Sequence, residues 1–251
     1  MSGRRRLDAE LVRRKLAPSR EAAQRLIADG VVLVGGAVAD KASRQVTPGE
    51  ALRILGPRPR YVSRAGRKLD AALEHFAIEP RRARCLDAGS STGGFTDCLL
   101  QRGAATVVAV DVGTNQLHER LRADARVEVR EQTDVRKLVS DGAPLIEPFD
   151  LVVCDVSFIS LRLVLPALTA LAKPGSPMAL LIKPQFEAGR EEASRGRGVI
   201  TDPAIWHRVI HEVEDAARSL GAAMLGVMQS PITGSTGNVE FIGHFRTQAD
   251  E

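Results

Sequence analysis

The sequence predicts an α/β protein: a mostly parallel sheet covered by helices on both faces, preceded by a small α+β module. Three observations carry that expectation. From residue 63 onward, near-continuous Val/Leu/Ile runs alternate with helical stretches, the pattern of strands buried on both faces. One run, ending Cys85-Leu86-Asp87, enters a glycine-rich turn, Ala88-Gly89-Ser90-Ser91-Thr92-Gly93-Gly94, and continues through Phe95 into a helix. Charge is also unevenly spread. Residues 1–60 hold thirteen Lys/Arg against six Asp/Glu, a balance of +7, whereas the rest of the chain carries −3. Such a shift reads as two modules, with the basic one facing a polyanion.

Composition narrows the class. At 44% apolar, 251 residues suffice for a sizeable core. No run approaches eighteen consecutive apolar residues, so no membrane-spanning helix is expected. The start, Met1-Ser2-Gly3-Arg4-Arg5-Arg6, has no apolar segment behind it and does not read as a secretory leader. Cys85, Cys98 and Cys154 are odd in number and form no CxxC pair. They read as buried free thiols of a cytoplasmic protein, and neither a disulfide nor a metal site is expected.

The first module, 1–56, opens with two short helices across 4–29. Leu7, Leu11 and Val12 have helical spacing, and Leu16 ends the first helix. Ser19 is a plausible N-cap, and Glu21 places an acid in the first turn of a helix over 20–28. Ala23, Leu26 and Ile27 form its inner face, and Asp29-Gly30 stops it. Val31-Val32-Leu33-Val34, Gly35-Gly36 and Ala37-Val38 give a hairpin, Pro48-Gly49 a turn, and 51–55 a last strand. A stiff basic linker, 57–62, follows, with Pro57 and Pro59 flanking Arg58.

The second module, 63–251, starts with a helix over 63–76, with Leu69, Ala72, Leu73 and Phe76 on one face. Strands are expected over 83–86, 106–112, 127–129, 151–156, 178–183, 222–228 and 239–245, with helices over 96–101, 161–171 and 203–220. The last two strands, joined by a short polar connection, suit an antiparallel edge pair. The charged loop 187–197 reads as either a substrate-gripping segment or a solvated one. His207 and His211, four apart on a helix, have no third ligand and read as a solvated face.

The glycine turn selects its ligand. A dinucleotide site wants a second glycine where this chain has Ser91, and no Gly-Lys-Ser/Thr follows for a phosphate loop. The form Asp-x-Gly-x-x-x-Gly-Gly resembles the first motif of S-adenosylmethionine-dependent methyltransferases. That resemblance makes Asp87, Gly89, Ser90, Ser91, Thr92, Gly93, Gly94 and Phe95 candidate cofactor residues, with Asp87 serving the amino-acid end directly or through water. Asp111, at the end of the second strand, is the expected ribose ligand, and Asp134, after the third, the expected partner of the adenine amine.

Two further resemblances follow. The opening helices, the stretch from Asp29 to Gly36 and Thr47-Pro48-Gly49-Glu50 resemble the small RNA-binding domain named after ribosomal protein S4. This implies docking on folded RNA through phosphate contacts. Lys68 in Ser63-Arg64-Ala65-Gly66-Arg67-Lys68-Leu69, Asp155 in Cys154-Asp155-Val156-Ser157-Phe158, Lys183 in Leu181-Ile182-Lys183-Pro184 and Glu240 in Asn238-Val239-Glu240-Phe241 resemble the catalytic tetrad of FtsJ-like ribose 2′-O-methyltransferases. Over residues 4–246 the chain resembles the TlyA family, once labelled haemolysins and understood as rRNA cytidine-2′-O-methyltransferases.

The resemblance implies a Rossmann-like class I methyltransferase fold with seven strands, S-adenosylmethionine as cofactor, and ribosomal RNA or ribosomal subunits as partner. It also implies no membrane partner and favours a monomer. Candidate RNA contacts are Arg4, Arg6, Arg14, Lys15 and Arg20 in the first module, Arg60 in the linker, and Arg64 and Arg67 beyond it. A lysine ordinarily holds its proton to about pH 10 and becomes a useful base when desolvated or set beside another cation. Lys183, on the sheet's active edge with Lys68 near it, is the preferred base. With Trp206 and Tyr61 single, stacking on bases is not expected to be the main grip. The rival readings are a membrane-active haemolysin and a non-catalytic RNA-binding protein.

Overall fold

A computed structural model describes residues 3–28, 30–55, 60–140, 142–189, 192 and 198–249. The chain divides into two compact units, Met1–Arg60 and Tyr61–Glu251. The linker residues Pro57, Arg58 and Pro59, and most of the charged loop 187–197, lie outside the described residues.

In the first unit β1 (Arg5–Arg6) leads into α1 (Leu7–Arg13), α2 (Arg20–Ala28), β2 (Val32–Val34), β3 (Ala37–Val38), β4 (Gln45–Val46) and β5 (Leu52–Ile54). The helical start expected at residue 4 is corrected: Arg5 and Arg6 are extended and pair antiparallel with Val46 and Gln45. The helix begins only at Leu7, whose N–H is held by the Arg44 carbonyl at 2.8 Å. The hairpin forms as expected, because Gly35 and Gly36 both take positive φ (+59° and +88°), which a tight two-residue turn requires. Leu7, Leu11, Ala23, Ile27 and Val32 close a small core of their own.

The second unit is one seven-stranded sheet: β6 (Arg84–Ala88), β7 (Thr106–Val110), β8 (Val127–Arg130), β11 (Leu151–Cys154), β12 (Pro177–Ile182), β13 (Ala222–Gln229) and β14 (Phe241–Thr247), in the order β13-β14-β12-β11-β6-β7-β8. A two-stranded ribbon of β9 (Val139–Ser140) and β10 (Ala143–Pro144) lies apart from it. The sheet is parallel from β12 to β8, and β14 runs antiparallel to both its neighbours.

The expected antiparallel edge pair forms, β13 against β14. The last strand inserts between β12 and β13, leaving β13 alone at the edge. Apolar side chains pack on both faces. Leu165, Leu168 and Ile210 belong to one cluster, and Leu69, Leu73, Leu99 and Phe95 to the other. These come from α6 (Leu165–Leu171) and α8 (Pro203–Ser219) on one side, and α3 (Gly66–His75) and α4 (Gly94–Gln101) on the other. Two short helices, α5 (Glu119–Arg122) and α7 (Pro184–Glu187), carry no clear helical period and escaped the sequence reading. All three thiols are free and buried, as expected.

Candidate active site

The C-terminal ends of β6, β7, β11 and β12 meet at one edge, where open parallel sheets place their ligands. The turn after β6 is held by Gly89 and Ser90, whose N–H groups both donate to the Val110 carbonyl (2.8 and 3.1 Å). Gly89 takes φ +83°, and a Cβ there would meet the Asp155 carbonyl oxygen at 2.8 Å. Only glycine lets the turn lie this close to the end of β11. Ser91 also sits in the left-handed region, at φ +46°, and its N–H donates to Asp111 Oδ2 at 2.8 Å. Gly113 N–H donates to the other Asp111 oxygen at 2.7 Å.

A cavity of about 390 Å³ opens beside this turn. Asp111, Gln116, Thr133 and Asp134 are among its polar groups; Val110, Val112, Val156, Ile159 and Val164 are in its apolar wall. Asp134 also serves the local fold. Its carboxylate accepts from Arg136 N–H at 3.0 Å, capping the 3-10 turn Val135–Leu138, and pairs with the Arg136 guanidinium.

Asp87 lines neither this cavity nor the next. It is fully buried, with one carboxylate oxygen accepting from Thr96 Oγ1 at 2.6 Å and the other without a partner among the described residues. Burial pushes its carboxyl up to about 7, against the opposing Thr96 bond. An apolar slot with carboxylates at the rim, a turn only glycine can make and an orphaned anionic oxygen beneath it fit an adenosyl sulfonium with a cationic amino-acid tail.

A second cavity, of about 650 Å³, adjoins the first. Here the four tetrad candidates come together. Lys68 rises from the first turn of α3. Asp155 follows β11, its N–H donating to the Ala88 carbonyl at 3.0 Å and so extending the strand pairing. Lys183 follows β12 and is held extended (φ −113°, ψ 102°) by Pro184, which ends the strand and starts α7. Glu240 immediately precedes β14.

Lys68 Nζ lies 2.6 Å from Glu240 Oε2 and 3.5 Å from Asp155 Oδ2; Lys183 Nζ lies 2.5 Å from Asp155 Oδ1. Both lysines and Glu240 are buried, so each charge depends on its partner. Lys68 faces two carboxylates. Lys183 faces one; it also donates to Ser157 Oγ at 2.8 Å, and the Phe186 ring centroid lies 5.8 Å from its Nζ.

The structure adds residues that sequence reasoning missed. Ser157 lines both cavities and touches Lys183. Phe158, also on both, has φ +66° and is 92% exposed, with its ring 5.4 Å from that of Phe186. Ser157 and Phe158 both lie in the pentapeptide that carries Asp155, Cys154-Asp155-Val156-Ser157-Phe158.

The cations separate into kinds. Arg14 is engaged within the unit: its guanidinium donates to Glu10 and to the carbonyls of Thr47, Pro48 and Glu50. Arg6 and Arg20 bind the buried Asp8 and stay about half exposed. Arg4, Lys15, Arg60, Arg64 and Arg67 are exposed, and Arg64 lines the second cavity. His207 and His211 are exposed, and among the described residues no cluster suits a metal ion. No helix among the described residues is long and apolar enough to cross a membrane.

Residues 61–247 match the FtsJ-like methyltransferase family, and residues 5–52 match the S4 domain. The chain is 47% identical to the 16S/23S rRNA (cytidine-2′-O)-methyltransferase TlyA of Mycobacterium tuberculosis, covering all of this chain and 92% of that protein. It is 36% identical to a protein named Hemolysin A from Brachyspira hyodysenteriae, covering 96% and 99% of the two chains. A solved structure of a hemolysin candidate from Streptococcus thermophilus superposes with a TM-score of 0.72 at 39% identity, over 99% of this chain and 90% of that one.

Proposed function

This chain belongs to the TlyA family of FtsJ-like methyltransferases, and from that premise we infer that it methylates the ribose 2′-hydroxyl of a cytidine in ribosomal RNA, using S-adenosylmethionine. The observation that carries the reading is the Glu240–Lys68–Asp155–Lys183 chain of ion pairs, set where two cavities meet. When bound, the cofactor supplies a methyl group already activated by a sulfonium charge. The 390 Å³ cavity holds its adenosyl part, with Asp111 at the ribose and Asp134 toward the base. Asp87 sits below the turn and serves the amino-acid end through water.

The larger cavity takes the acceptor nucleotide. A ribose hydroxyl is a weak nucleophile and must lose its proton as it attacks. Lys183, as the neutral amine, takes that proton at Nζ. Asp155 holds Lys183 in place and bridges to Lys68, whose charge Glu240 balances. Positioning contributes more than proton transfer, because the donor is reactive already. The exposed Phe158 ring offers a stacking face to an unpaired base, and Arg64 meets its phosphates. The S4 domain docks the RNA. All four tetrad residues come from one chain, so a monomer suffices, and the reaction belongs in the cytoplasm with its substrate.

The test is transfer of tritium from labelled cofactor to naked rRNA and to isolated ribosomal subunits, with the label mapped to a ribose. We expect transfer by the wild type and none by Lys183→Ala. Absence of transfer to any ribosomal RNA removes the substrate class. An active Lys183→Ala removes the assignment of the base.

A further inference from the structure

The two cavities share a seam, where Gly89, Ser91, Asp155, Ser157 and Phe158 line both. Two of these carry hydroxyls. Ser91 spends its proton on Gln116 Oε1 at 3.2 Å. Ser157 is different: it is exposed, its oxygen accepts from Lys183 Nζ at 2.8 Å, and it makes no other side-chain hydrogen bond among the described residues.

A neutral amine, the form that can take a proton, has two N–H donors and one lone pair. On Lys183 one N–H points to Asp155 and one to Ser157. These two oxygens hold the nitrogen, the Phe186 ring centroid lies 5.8 Å from it, and Lys183 lines the acceptor cavity. With Asp155 alone the amine would pivot about one contact and lose its aim.

The fold fixes both ends of this contact. Ser157 lies on the loop leaving β11, and Lys183 immediately precedes α7. The same short helix carries Glu187, whose buried carboxylate accepts from Ser160 Oγ and Leu161 N–H, both at 2.6 Å. Phe186 on α7 packs on Phe158. The loop and the helix thus form a closed ring through the Lys183–Ser157 bond. Phe158 holds a left-handed backbone that a bulky side chain adopts only when its surroundings impose it.

We propose that Ser157 is a positioning residue for methyl transfer: with Asp155 it fixes Lys183 Nζ from two sides, so that the amine's remaining direction meets the acceptor hydroxyl. The proposal rests on the methyltransferase reading above. It differs from a merely structural role in what its loss changes. Ser157 lines both cavities, but its one side-chain hydrogen bond among the described residues goes to Lys183, so the loss is expected in the chemical step.

The experiment compares wild type, Ser157→Ala and Ser157→Thr on ribosomal subunits, with cofactor affinity measured by calorimetry. Ser157→Ala should lower kcat roughly 10- to 100-fold with the KM for RNA and the cofactor affinity within about twofold of wild type. Ser157→Thr, which keeps the hydroxyl, should recover most of the rate. Wild-type kcat in Ser157→Ala overturns the proposal. So does a loss that appears in KM or cofactor affinity, or one that Thr fails to rescue while its melting temperature matches wild type. A wild type that transfers no methyl group to RNA would instead remove the functional reading beneath it.

Discussion

Asp87 is a carboxyl that burial keeps from ionising easily. Fully buried, with one oxygen bonded to Thr96 and the other unpartnered among the described residues, its carboxyl is pushed up to about 7 from 3.8. In the unfolded chain it titrates near 3.8, so between those values the folded protein binds the extra proton. A raised folded pKa stabilises most below about pH 4, and that contribution is lost as pH rises through 7. Denaturant unfolding of wild type minus Asp87→Asn, measured from about pH 5 to 8, should therefore fall with rising pH. A difference flat across that range contradicts the assignment. A cationic group near the orphaned oxygen favours the charged carboxylate, so cofactor affinity should rise over the same window and do so less in Asp87→Asn. At this scale the residue types of the site were legible: a strand-end acid before a glycine turn, and lysines and acids in four separate motifs. Ser157 was not, because a serine in a loop shows its value only when Lys183, 26 residues away, comes within 2.8 Å.

Elements were legible where one period dominates. The buried parallel strands β6, β7, β11 and β12 read as apolar runs, and α8 as a long amphipathic helix. Elements made by distant pairing were not. The two-residue strand Arg5–Arg6 exists because Gln45–Val46 pairs with it, and the insertion of β14 beside β12 is a choice of partner that no local pattern records. Helix α7 is four residues long and is stabilised by what it ties together. Glu187, with its side chain 1% exposed, bonds Ser160 and Leu161 and pairs with Arg162, which reaches on to Glu212 of α8. Glu187→Ala leaves the Leu161 N–H buried without an acceptor, at a cost of about 1–3 kcal/mol. Urea unfolding of the second unit should report that loss, and kcat should fall with it, since the same bonds hold the Ser157 loop. A variant as stable as wild type would show that the turn Leu161–Leu163 does not depend on this carboxylate.

The uneven charge of the whole chain was visible at once, but its meaning depends on which cations remain free after folding. The +7 balance of residues 1–60 counts all arginines alike, and the fold does not. Glu10 is buried among Arg13 and Arg14, whose hydrogen bonds hold its carboxyl down at about 2. Arg14 also gathers the Thr47, Pro48 and Glu50 carbonyls, closing the turn between β4 and β5 onto α1. Arg4 and Lys15 are exposed, and neither forms an ion pair within the described residues. The two kinds should separate in experiment. Arg4→Ala and Lys15→Ala should weaken binding to ribosomal RNA and each lower the slope of log K against log salt by about one, because each removes a phosphate contact. Neither should change thermal stability or cofactor affinity. Arg14→Ala should instead destabilise the S4 unit by about 1–3 kcal/mol, leaving buried Glu10 with one cation fewer. Its binding loss should track unfolding of that unit and leave the salt slope of the folded fraction unchanged. A reduced slope in folded Arg14→Ala would place that arginine in the RNA-contacting set, and an unchanged slope in both Arg4→Ala and Lys15→Ala would move the phosphate contacts off this face of the S4 unit.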